Sequence, residues 1–166
     1  MRADGHFTAF TIGYEGMTID AFIASLRAQR IEHLIDVREI ALSRKKGFSK
    51  TALSEHLKRA DIRYSHLRAL GCPKPIRNQY RIDGNWDRYA RAFGAYLKSQ
   101  TAALSDLVRT MSDERCSLMC FEANYALCHR SLVVHELGGA VVHLTARGPV
   151  REATAAAAYS GRSGSG

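Results

Sequence analysis

Short apolar runs alternate along this chain with stretches in which apolar residues return at every third or fourth position. The runs Phe7–Ile12, His33–Val37, Ile62–Ser65, Cys116–Phe121 and Ala140–Leu144 have the length and bounds of strands. Between the first two, Phe22, Ile23 and Leu26 fall on one face of a helix predicted from Ile19 to about Gln29, with Thr18 as its cap. Leu53 and Leu57 mark a second helix that ends near Ala60 and has Ser49 as cap. Trp86, Tyr89, Phe93 and Leu97 mark a third, capped by Asn85. Helices are also predicted over Thr101–Met111 and His129–Leu137, the latter stopped by Gly138-Gly139. Leu67–Gly84 carries Gly71, Pro73, Pro75 and Gly84 and reads as a long loop.

Strands that alternate with helices predict an α/β fold: one mostly parallel sheet of about five strands, flanked by helices in a Rossmann-like three-layer arrangement. The single domain is expected over residues 7–145. Residues 1–6 read as a short polar tail, and residues 146–166, rich in Ala, Gly and Ser, as a flexible one. The 166 residues suffice for one hydrophobic core. No apolar run approaches the roughly 20 residues of a membrane span, and Met1–His6 does not resemble a secretory signal. With only 4 cysteines, a disulfide scaffold is not expected, and the setting that follows is the reducing cytoplasm.

The formal charge of +8, carried mostly by arginine, changes the picture of partners. Arginine grips phosphates and carboxylates through planar two-pronged contacts. A polyanion is the partner this suggests, nucleic acid first, against the plainer reading of a solvated basic surface. No long Lys/Arg run exists, so folding must assemble any basic patch.

The chemistry-bearing residues cluster at strand ends, which in a parallel sheet share one edge. Strand one ends at Gly13, Tyr14 and Glu15; strand two at Asp36 and Arg38, with Arg44 and Lys45 behind them; the Cys116–Phe121 strand at Glu122, ahead of Cys128-His129-Arg130. Acids, cations, a thiol and an imidazole gathered at one rim are the mark of a site. Glu122 follows an apolar strand, so burial is expected to raise its pKa and suit it to proton transfer. Asp36 is a second candidate base, or a partner for Arg38 or Arg130. Cys128, near a helix N-terminus, is a candidate nucleophile or a small core residue. His129 is a candidate general acid or a packing residue. Arg130 opposes the helix dipole and calls for an acid or a phosphate nearby. Arg38, Arg44 and Lys45 are candidate phosphate contacts. Tyr14, and Tyr80 between Arg77 and Arg81, are candidate stacking surfaces for a base.

Several chemistries are disfavoured. The turn at Gly13 lacks the G-x-G-x-x-G dinucleotide spacing. Cys116, Cys120, Cys128 and His129 lack paired C-x2-C units, so no metal is expected, and no other cofactor is called for. A Cys-x5-Arg phosphatase motif is absent, because Ala126 occupies the arginine's place after Cys120.

Taken in order, Thr11-Ile12-Gly13-Tyr14-Glu15, Leu34-Ile35-Asp36-Val37-Arg38, Ser43-Arg44 with Phe48, Ile62-Arg63-Tyr64, Leu70-Gly71, Cys120-Phe121-Glu122 and Cys128-His129-Arg130 resemble the bacterial and archaeal family called domain of unknown function 488. Many relatives have His-Ser where this chain has Tyr14-Glu15, and Gly where it has Cys72. The resemblance spans about residues 7–144 and implies a compact α/β fold with the site at these strand ends. It implies no reaction.

The residues themselves favour an enzyme acting on a nucleic acid, DNA above all, or on a nucleotide. The leading expectation is hydrolysis of the N-glycosidic bond of a damaged or modified base. Glu122 or Asp36 would activate water or stabilise a cationic sugar, and arginines would hold phosphates. The rivals are a cysteine-dependent sulfur or acyl transfer through Cys128 and a non-catalytic nucleic-acid-binding module.

Overall fold

In the computed structural model, which describes residues 7–153, the elements run β1 (Thr8–Gly13), α1 (Ile19–Ala28), β2 (His33–Asp36), α2 (Lys50–Arg59), β3 (Arg63–His66), α3 (Lys74–Asp83), α4 (Trp86–Ser99), α5 (Thr101–Asp113), β4 (Cys116–Cys120), α6 (His129–Leu137), β5 (Ala140–Thr145) and β6 (Gly148–Ala153). The strands form one sheet in the order β3-β2-β4-β1-β5-β6. Every pairing is parallel except β5 with β6.

Alternation within the strands sorts side chains onto the two sheet faces. Phe10, Ile12, Leu34, Met119, Val142 and Leu144 form one face, packed with Phe22 and Leu26 of α1 and Leu53 and Leu57 of α2. Ala9, Ile35, Cys116, Leu118, Cys120 and Val141 form the other, covered by α4, α5 and α6 through Phe93, Leu97, Leu104, Leu107, Val133 and Val134. A side chain such as Phe22, wholly buried, contributes about 1.5–3 kcal/mol. The result is a three-layer α/β fold. No helix among the described residues is long and apolar enough to cross a membrane.

Three local expectations are corrected. The stretch Leu67–Gly84 is not a long loop: after a 3-10 turn at Arg68–Leu70, it holds α3. Pro73 and Pro75 flank and enter the helix's first turn, where a missing N–H costs no intrahelical bond. Gly84 (φ 59°) closes the helix in the left-handed region. Strand β6 lies inside the segment read as the C-terminal tail; it pairs antiparallel with β5 from Gly148–Thr145 to Ala153–Ala140. The remaining tail residues, 1–6 and 154–166, lie outside the described residues. Ser49 precedes α2 but does not cap it by side chain: its hydroxyl donates to Ser43 O at 2.8 Å and accepts from Ser43 N–H. Thr18 and Asn85 do cap, accepting from Ala21 N–H and Arg88 N–H.

The order of connections places the site. Strand β4 passes the chain to α6 on one face, while its neighbours β1 and β2 pass to α1 and α2 on the other. At such a switch point the outgoing loops part, and a crevice opens beyond the carboxyl ends of the strands.

Candidate active site

The backbone beyond β4 crosses directly over the end of β1. Tyr14 N–H donates to Cys120 O (3.2 Å) and Glu15 N–H to Phe121 O (2.8 Å). A Cβ on Gly13 would lie 1.8 Å from the carbonyl oxygen of Glu122, so only glycine admits this crossing. Glu15 secures the same loop, its Oε1 accepting from Ala123 N–H at 3.1 Å. Asn124, which accepts from Ala126 N–H, starts a 3-10 turn at Tyr125–Leu127 that leads into Cys128 and α6.

This path gathers the terminal residues of β4 and the first residues of α6. The thiols of Cys120 and Cys128 both donate to Oε2 of Glu122, at 3.1 and 3.3 Å. His129 Nε2 donates to the Val37 carbonyl at 2.7 Å, which leaves Nδ1 as the acceptor nitrogen, 3.9 Å from Cys128 Sγ. Arg130 is fully buried, with Nη1 3.0 Å from Cys120 Sγ and 2.5 Å from Glu122 O. Glu122 turns Oε2 inward and keeps an exposed side. The expected rise of its pKa is corrected. Burial does push it up, but the hydrogen bonds it accepts, first from the Cys120 thiol and then from its own backbone amide and the Cys128 thiol, outweigh burial, and the carboxyl sits below its ordinary range. Glu122 is therefore an ionised carboxylate at neutral pH. Burial, reinforced by the neighbouring Cys128, pushes the Cys120 thiol well up.

A cavity of about 370 Å³ opens in front of this group. Glu122, His129 and Cys120 stand on one wall; Tyr80, Arg77 and Arg81 of α3 with Trp86 and Tyr89 of α4 stand on another. The aromatics brace one another, Trp86 on Tyr89 at 4.9 Å and 19° and Tyr80 against Tyr89 at 5.1 Å. Arg77 is held by Cys72 O and by the Glu39 carboxylate, each at 3.0 Å. Exposed apolar side chains, Ile40, Leu42, Phe121 and Leu127, complete the lining. The volume matches a small-molecule site, and the lining sets aromatic surfaces among charged groups, Arg77, Arg81, Glu39 and Glu122.

The residues singled out by sequence divide into three groups. Glu122, His129 and Tyr80 line the cavity, as do parts of Tyr14 and Arg38, while Cys128 and Arg130 lie buried behind it. Asp36, Arg38 and Tyr14 sit at the same rim but are engaged with one another. Asp36 is wholly buried; it accepts from Arg38 Nε, Nη2 and backbone N–H, and from Tyr64 Oη at 2.6 Å. An acid so enclosed holds Arg38 in place and has no path to a substrate, so its reading as a base is corrected. Arg38 spends Nη1 on Phe48 O (2.7 Å) and Tyr14 Oη (3.3 Å), so little of it is left for a phosphate. Tyr14 stacks one face on Phe48 at 4.5 Å, so that face is closed to a base. Outside the cavity are Glu15, Arg44 and Lys45: Glu15 is the loop clasp described above, Arg44 is exposed, and Lys45 lies over the Phe48 ring at 5.9 Å.

Missed as cavity residues were Glu39, Cys72 and Tyr89, along with the cationic role of Arg77 and Arg81. The spacing of Ile76 and Tyr80, one helical turn apart, carried the signal for α3, but the prolines masked it.

No curated protein and no solved structure matches this chain significantly. Residues 18–137, most of the chain, match the model of the family described as Domain of unknown function DUF488, and the chain belongs to that family.

Proposed function

We propose that this protein hydrolyses the N-glycosidic bond of a nucleotide or of a damaged or modified base extruded from DNA. One observation carries the reading: a single cavity joins an ionised carboxylate, Glu122, to the aromatic surfaces of Tyr80, Trp86 and Tyr89 and the guanidinium groups of Arg77 and Arg81. The chemistry of such a bond uses these three elements. Aromatic rings take up the flat base, at about 1–3 kcal/mol per stacked base. Guanidinium groups at the entrance hold the adjoining phosphate. A fixed carboxylate stabilises the positive charge that grows on the sugar as the bond breaks, and it accepts a proton from the attacking water. The cavity suits one nucleotide and is too small for a duplex, so a DNA substrate must present its base out of the stack. The formal charge of +8 favours encounter with a polyanion. The four free cysteines suit a reducing cytoplasm.

Sulfur or acyl transfer through Cys128 draws less support, because that thiol is 2% exposed and directed at Glu122. A purely binding module leaves the ionised Glu122 at the cavity wall without a task.

The test is base release from lesion-bearing single strands and duplexes, and from free nucleotides. Wild-type protein is expected to release base. Glu122→Gln is expected to lose at least about 100-fold in rate while still binding the same DNA. No product on any of these substrates, together with no binding at low salt, overturns the proposal.

A further inference from the structure

Arg130 is a buried cation without an anion at its side. It is 0% exposed, its Nη1 meets only a sulfur and a peptide carbonyl, and its Nε and Nη2 have no hydrogen-bond partner. A buried charge in this state is costly, and negative charge close by offsets that cost. A neutral Cys120 thiol does not supply it; a thiolate does.

Around that guanidinium, four metal-binding side chains converge. The ligand atoms of Cys120, Glu122, Cys128 and His129 all lie within 4.8 Å of one another. We propose that these four residues bind a thiophilic divalent cation, with Zn2+ the ion their chemistry fits.

The geometry is near that of a tetrahedral site. Zn–S bonds of about 2.3 Å and Zn–N or Zn–O bonds of about 2.0–2.1 Å set neighbouring ligand atoms about 3.3–3.8 Å apart. The observed separations are 3.1 Å from Cys120 Sγ and 3.3 Å from Cys128 Sγ to Glu122 Oε2, and 3.9 Å from Cys128 Sγ to His129 Nδ1. These three pairs need adjustments of only a few tenths of an ångström, and the remaining pairs lie within 4.8 Å.

His129 is already oriented as a ligand. Donation from Nε2 to Val37 O fixes the tautomer and turns the Nδ1 lone pair towards the cluster, the outer-shell arrangement common to metal-bound histidines. Charge also balances. On binding, both thiols release their protons to solvent. Two thiolates and one carboxylate then carry three negative charges, matched by the dication together with Arg130. Soft sulfur ligands with one imidazole select zinc over magnesium or calcium. Coordination through Oε2 leaves the other oxygen of Glu122 to the cavity, so its role in the proposed hydrolysis is retained.

A second group, His33, Glu114 and Cys116, also lies within ligand distance. There both ring nitrogens of His33 are engaged, by Glu114 and by Ser65 Oγ at 2.7 Å each, and Glu114 also pairs with Arg63. That network is complete as it stands, and Cys116 serves as a control.

The experiment uses the full chain, reduced and stripped with a chelator, then titrated with Co2+ and separately with Zn2+. Co2+ is expected to produce a sulfur-to-cobalt charge-transfer band and tetrahedral d–d bands that saturate at a single equivalent. Zn2+ is expected to bleach these bands and to raise the thermal midpoint of the wild-type protein. Cys120→Ser and Cys128→Ser are each expected to weaken Co2+ binding by at least about tenfold, whereas Cys116→Ser retains the full spectrum. The absence of a thiolate–cobalt band in reduced wild-type protein overturns the proposal. So does a band that survives in the Cys120→Ser/Cys128→Ser double variant. Neither readout involves a nucleotide, so metal binding by a chain that ignores nucleotides removes the proposed hydrolysis and leaves this site standing.

Discussion

The guanidinium of Arg38 lies clamped on the carboxylate of Asp36, Nε to Oδ1 at 2.9 Å and Nη2 to Oδ2 at 2.7 Å, with both side chains buried. The pair fastens the loop after β2 to its strand, and through Phe48 O and Tyr14 Oη it ties that loop to the end of β1. Removing one partner strands the other charge in the interior. Asp36→Ala is expected to destabilise the fold by about 3–5 kcal/mol, read from urea unfolding. A loss under 1 kcal/mol (about the worth of an exposed pair) contradicts this structural role.

Two glycines are expected to respond in opposite directions. Gly13→Ala forces a methyl group onto the Glu122 backbone, and the cost is expected to reach about 3 kcal/mol or more. Gly94 lies inside α4 with open space around it, so Gly94→Ala is expected to stabilise by about 0.4–1 kcal/mol. Thermal unfolding of the two variants beside the wild type checks both.

Acid is expected to weaken the fold in two stages. His143 is buried, and burial, only partly opposed by its bond to Glu152, lowers its pKa from 6.5. The unfolded chain therefore binds a proton more readily than the folded one, and this contribution is present above pH 6.5 and lost as the pH falls through the lowered value. Glu122 and Glu152 are lowered from 4.5: in each, burial pushes up and hydrogen-bond partners, the Cys120 thiol and His143 respectively, win. Their contribution is present above pH 4.5 and fades below it. Stability measured by urea titration at stepped pH is expected to fall in the same order, and His143→Gln is expected to remove the upper stage.

Burial pushes the Cys72 thiol up to about 11 and the Cys116 thiol up to about 12. Thiolates are the reactive form, so both cysteines are expected to alkylate far more slowly in folded protein than in urea at pH 8. Mass spectrometry of labelled peptides gives the comparison, and equal rates in the two states contradict the burial.

The helices and parallel strands were legible because their cores repeat. Phe22 and Leu26, or Phe93 and Leu97, sit one turn apart and face the sheet. The site was legible for a topological reason: parallel strands deliver their carboxyl ends to one rim, so Gly13, Asp36 and Glu122 had to approach each other. What escaped notice lacked a buried stripe. No residue of α3 is buried, so its prolines outweighed a weak pattern. Strand β6, Gly148–Ala153, offers a single large aliphatic residue, Val150, on a sheet edge. The pKa of Glu122 differed from expectation because the Cys120 thiol, and more weakly the Cys128 thiol from beyond a 3-10 turn, donate to it, contacts that spacing alone does not reveal.

Trp86 is the sole tryptophan of the chain and lines the cavity, so its fluorescence reports directly on occupancy. Titration with deoxynucleotides and with single-stranded DNA containing an abasic or damaged site, at low salt, is the most direct measurement of the central claim. Saturable quenching is expected, with Arg81→Ala weakening it about tenfold and salt weakening binding of the DNA. Emission that stays unchanged up to millimolar nucleotide, in protein shown to be folded, contradicts the assignment of this cavity to a base and its phosphate.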